Sequence, residues 1–109
     1  MALAFLLIPS LPSQLLFGEA PRAALTVMLG RLLGAAVLSL AIVCWWASFD
    51  AENPLAYSVI KAMLFYNFTA GALLVSARFW LGLSGVLLWP GVAAHAVLGG
   101  WCIMAVKRR

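Results

Sequence analysis

Three long apolar runs dictate what this chain can become. Run A extends from Ala23 to Phe49, run B from Leu55 to Ala77 and run C from Leu81 to Val106. Each exceeds the roughly 20 residues that a helix needs to cross a hydrocarbon core about 30 Å thick. A lone apolar segment in lipid must satisfy its own backbone hydrogen bonds, so the three runs are expected to be helices. The composition agrees, with 66% apolar residues in 109, against about 45–50% in an ordinary soluble domain. Seven basic and three acidic side chains are too few to cover a small soluble domain, whose surface is large relative to its core. Disorder is excluded too, since it requires low hydrophobicity. The reading is an all-α integral membrane protein, residues 1–109 forming a single transmembrane domain.

The connections follow from polarity and proline. Asp50-Ala51-Glu52-Asn53-Pro54 is the most polar stretch and joins runs A and B, with Pro54 suited to the first turn of the next helix. The B–C connection is expected within a few residues around Arg78, Phe79 and Trp80, making those helices antiparallel neighbours. Met1 to Ile8 is apolar but spans only about 12 Å as a helix. Pro9, Ser10, Pro12 and Ser13 interrupt it, and Leu15 to Phe17 follow. Residues 1–17 are therefore expected to form a short or truncated N-terminal helix packed at one leaflet, beside an antiparallel bundle of three spans at about 23–49, 55–77 and 81–106. Met1 to Pro9 lacks the basic leader of a cleavable signal peptide.

Charge gives orientation rather than a nucleic-acid partner. Three of the basic residues are the terminal Lys107, Arg108 and Arg109, and the others are scattered singly. That distribution is a topology signal, not a basic patch. With three spans, Lys61 and the tail share one side, whereas Arg22 and Arg78 lie on the other and Arg31 lies deeper. The balance favours a cytoplasmic C-terminus in a bacterial inner membrane. Trp45, Trp46 and Trp101 then belong to the cytoplasmic interface and Trp80 to the outer one. Lys61 is expected to snorkel toward Asp50 and Glu52.

A few polar residues fall at membrane depth. Counting from the run midpoints puts His95, Tyr66 and Asn67 near the midplane, and Arg31 roughly 7–8 Å nearer the outer face, level with Trp89. Polar groups at such depth are costly and mark function or a packed interior. Gly91, His95 and Gly99 form one helical stripe, Asn67 and Gly71 another, and Gly30 and Gly34 a GxxxG pair near Arg31. The simplest packing turns all three stripes inward and gathers Arg31, Tyr66, Asn67, Trp89 and His95 into one polar or ligand-binding cluster. Two readings stand side by side. Asn67 and Tyr66 serve as interhelical hydrogen-bond glue, or they support a site on His95. Arg31 either snorkels or stacks on Trp89. Asn67-Phe68-Thr69 matches a glycosylation sequon at a depth that forbids use. Cys44 and Cys102 lack metal or disulfide spacing and read as small apolar residues.

Several classes drop out. No Asp or Glu lies within a span, which argues against carboxylate-coupled transport. Small multidrug exporters share the length and a four-helix plan, but the glutamate on which that family depends has no counterpart here. One histidine cannot supply both axial ligands of a haem; Met28, Met63, Met104 or a second chain would have to assist. No nucleophile–base pair, phosphate loop or metal cluster is evident.

The chain resembles a group of small, uncharacterised bacterial integral membrane proteins. The resembling pieces are Phe17-Gly18-Glu19, Gly30-Arg31-Leu32-Leu33-Gly34-Ala35-Ala36, Cys44-Trp45-Trp46, Phe65-Tyr66-Asn67, and Leu88-Trp89-Pro90 followed by His95-Ala96. They cover most of the chain from about residue 15. Members usually have four spans, the first ending before the FGE-like turn, so the resemblance implies a late start codon or a shortened first span. It supports the fold and the polar positions and adds no activity. The leading expectation is a non-enzymatic accessory or small subunit of a membrane assembly, present as a homo-oligomer or within a larger complex. The alternative is a redox or small-ligand site on His95 that takes a quinone or haem. A holin-like pore former is the third.

Overall fold

The computed structural model describes residues 1–108, so the expected role of Arg109 lies outside the described residues. Five helices follow in order: α1 Ala2–Leu7, α2 Ser10–Phe17, α3 Ala24–Ser48, α4 Pro54–Leu81 and α5 Leu88–Lys107. The last three are long and apolar enough to cross a membrane, and the molecule measures 45 × 27 × 17 Å. Its long axis matches a bilayer with its headgroup layers, about 40–45 Å. The protein is an all-α membrane bundle with a short helical N-terminal segment.

Local chemistry explains the boundaries. The Asn53 side chain accepts a hydrogen bond from Leu55 N at 2.9 Å and Pro54 opens α4, a cap that satisfies one of the free N–H groups of a helix start. Asn53 Nδ2 in turn donates to Asp50 Oδ2 at 3.1 Å, which stiffens the polar turn. The N-terminal segment breaks between Leu7 and Ser10, where Ile8 leaves helical geometry as a residue preceding proline tends to. Pro12 lies inside α2, but in its first turn, where no intrahelical N–H is needed.

One connection differs from expectation. Helix α4 continues through Arg78, Phe79 and Trp80 to Leu81, so the turn lies at residues 82–87, and run C loses Leu81 to α4 and its next six residues to the turn. The helix stops at Gly82, whose φ of 68° is the left-handed conformation of a helix end. Leu83 N donates back to Ala77 O at 3.1 Å.

Two pairings organise the bundle. Helices α4 and α5 pack along their length, and α1 packs on α3, whereas α3 meets α4 only lightly. At Gly34 the backbone of α1 lies directly on α3: a Cβ there would collide with Leu6 N, and would sit 2.7 Å from Ala2 O. Gly30 faces Pro9 and Phe5, so the Gly30–Gly34 pair admits the N-terminal segment, not another span. The two pairs are joined by backbone. Ser84 N donates to Phe17 O at 3.0 Å, Gly85 N to Leu16 O at 3.1 Å and Leu87 N to Leu15 O at 2.8 Å. Gly18, with φ 79°, closes α2 and donates to Gln14 O at 2.9 Å. All four carbonyls that a helix C-terminus leaves free are thus satisfied in α2, three of them by the 82–87 turn.

Candidate functional site

Helices α4 and α5 bring together three of the five residues singled out in the sequence. Asn67 is the one buried polar residue among those described, at 3% exposure, and it occupies the middle of α4. Its Nδ2 donates to Met63 O at 2.8 Å, one turn earlier on the same helix. Its Oδ1 faces His95 Nδ1 on α5 at 2.9 Å. The Tyr66 ring lies edge-on to the imidazole, with centroids 5.8 Å apart and planes at 71°.

The small residues set the spacing for this contact. A Cβ on Gly71 would lie 3.6 Å from His95 Cβ, and one on Gly99 would lie 3.8 Å from Asn67 Cβ. The Asn67/Gly71 stripe therefore packs against the Gly91/His95/Gly99 stripe, as the helical spacing predicts. Both distances are ordinary van der Waals contact, so the two stripes approach closely without excluding a methyl group.

The chemistry of the pair fixes its protons. A backbone carbonyl only accepts, so the Asn67 nitrogen must point to Met63 and its oxygen to His95. An amide oxygen also only accepts, so Nδ1 of His95 carries the N–H. In a neutral imidazole the other nitrogen, Nε2, then presents a lone pair.

The remaining two residues stand apart. Arg31 is exposed on α3, and the glycines beside it meet α1 and Pro9 rather than α4 or α5. It does not join the cluster, because the face of α3 that would carry it inward is already spent on the N-terminal segment. Trp89 packs edge-on against Phe79 at 6.5 Å near the start of α5, so its stacking partner is a ring of α4 rather than Arg31. Lys61 lies over the Tyr57 ring at 4.6 Å, and its expected loop partner Asp50 engages Asn53 instead. Both cysteines are free and half-buried.

The Met63 carbonyl was not foreseen. Its signal is generic, since an asparagine inside a helix can bond the carbonyl four residues back. No group of three or more metal-ligating side chains occurs among the described residues.

A groove of about 940 Å³ runs alongside the pair on the α4–α5 surface, lined by Asn67, Gly71, Phe79, His95, Ala96 and Gly99 among others. It opens sideways, between two helices that cross the membrane. Compared with known families, curated proteins and solved structures, the chain has no match.

Proposed function

We propose that this protein is an accessory or small subunit of a membrane assembly, acting by association with a second copy or a larger complex rather than by catalysis. Its place is a bacterial inner membrane, with the C-terminus in the cytoplasm. The observation that carries the reading is how little the spans bury against one another. In each of the three, only 6% of the most apolar stretch is buried within the chain, and α3 meets α4 lightly. Helix association in lipid rests on close van der Waals packing and interhelical hydrogen bonds, and here the closest packing lies between α1 and α3 and the Asn67–His95 bond between α4 and α5. The basic Lys107 and Arg108 at the C-terminal end of α5 support the orientation.

Purification from the native membrane in mild detergent, with mass spectrometry of the intact species, tests this. A partner retained at fixed stoichiometry, or a defined oligomer, is the expected result. A strict monomer with no bound protein would end the reading. The orientation is read separately by labelling a cysteine placed beyond Lys107 from either side of the membrane.

A further inference from the structure

We infer that His95 accepts a hydrogen bond from the hydroxyl of a lipid-soluble molecule lying in the α4–α5 groove, with the reduced, quinol form of a membrane quinone or a polyprenol as the ligand class. The argument starts from the second imidazole nitrogen. Nδ1 is committed to Asn67 Oδ1 at 2.9 Å. Among the described residues, Nε2 has no hydrogen-bond partner, yet no side-chain nitrogen or oxygen is both sealed off and unpaired. His95 lines the groove, so the unused nitrogen is available to something that enters from the lipid.

Depth selects what can enter. Asn67 is at the middle of α4, and His95 lies about 4 Å from the middle of α5 by helical rise. Phospholipid headgroups stay at the interface, and a charged molecule at this depth is costly. A neutral head on a long apolar tail can reach it, with the tail along Phe79, Ala96 and their neighbours.

Proton bookkeeping then selects the head. Asn67 Nδ2 is spent on Met63 O at 2.8 Å, which leaves the asparagine only an acceptor to offer and holds the imidazole as the Nδ1–H tautomer. The lone pair on Nε2 can bind a donor hydroxyl but not a bare carbonyl. The site therefore distinguishes a quinol from its quinone, by about tenfold for one hydrogen bond. A haem iron is the competing acceptor of that lone pair. Its two carboxylates would need cations, and the groove brings none among its lining residues.

The chain has a single histidine, so histidine labelled with nitrogen-15 reports on this ring alone. Purified protein in lipid nanodiscs would be titrated with a decyl-tailed ubiquinol analogue, its oxidised quinone, geranylgeraniol and haemin. The expected spectrum shows a protonated Nδ1 and a bare Nε2, and the quinol moves the Nε2 resonance at about one tenth of the quinone's concentration. A matching response to geranylgeraniol assigns the site to lipid alcohols generally; its absence assigns the site to the quinol. Either result upholds the hydroxyl donor.

A protonated Nε2, equal responses to quinol and quinone, or no response to any hydroxyl would overturn the inference. So would a haem absorption band that displaces the alcohol response. The Asn67→Leu variant removes the tautomer lock, and selectivity should disappear with it. The measurement uses the isolated chain, so its outcome is independent of whether the protein has a protein partner.

Discussion

The α1–α3 pair and the α4–α5 pair use glycine for opposite ends. On α3, Gly34 lets one backbone lie against another, and any Cβ would strike main-chain atoms of Ala2 and Leu6. On α4 and α5, Gly71 and Gly99 leave ordinary van der Waals room for a Cβ. Their role is to let two polar side chains, Asn67 and His95, bridge the helices. The first pair is held by contact and tolerates nothing added. The second is held by contact plus a hydrogen bond, and has slack. A GxxxG-type stripe thus has two meanings, and only the atoms a Cβ would meet distinguish them.

The sharpest way to break the contrast is Gly34→Leu. With main chain on the other side there is nothing flexible to yield, and a loss of about 3 kcal/mol is expected, at the upper end for overpacking. Amide hydrogen exchange should show α1 losing protection while α4 and α5 keep theirs. If α1 stayed protected, the close backbone contact would be wrong. Gly85→Ala comes next. Its Cβ would meet the backbone of Leu15 and Leu16, and about 2 kcal/mol should be lost as the turn parts from α2. Exchange at Ser84, Gly85 and Leu87 amides reads that separation directly.

In the other pair, Asn67→Leu removes the bridge and leaves His95 Nδ1–H unpaired. Between 0.6 and 1.7 kcal/mol, roughly, is expected from interhelical hydrogen bonds measured in membranes. A double-mutant cycle with His95→Ala should return most of that as coupling. Gly71→Ala is the smallest change, within about 0.5 kcal/mol, because its Cβ would sit 3.6 Å from His95 Cβ. A thermal melt in the same detergent settles it, and a fall of several degrees would mean that the second pair is as tight as the first.

The same contrast explains what the sequence revealed. The Asn67/Gly71 and Gly91/His95/Gly99 stripes were legible because a polar residue among small ones at helical spacing leaves few faces to choose from. The partner of Gly30 and Gly34 was not, since α1 has six residues and carries no periodicity of its own. Arg31 was misplaced as a consequence, because a face expected to turn toward α4 and α5 is occupied by α1. The 82–87 turn was missed for a different reason. Loops in membrane proteins betray themselves through polar side chains that meet backbone needs. This one contains Leu83, Val86 and Leu87, and its amides at 84, 85 and 87 find their acceptors in α2. Hydropathy alone therefore runs straight through it.

Those three amide bonds also set an order of assembly. Residues 15–17 leave the ribosome early, and residues 84–87 follow only after two complete spans have been made. Until then the last carbonyls of α2 have no protein donors and must be served by water or lipid headgroups, which keeps the end of α2 at the membrane surface. The end of α2 takes its final seat only when the 82–87 turn has been made, whereas α1 can settle on α3 before it.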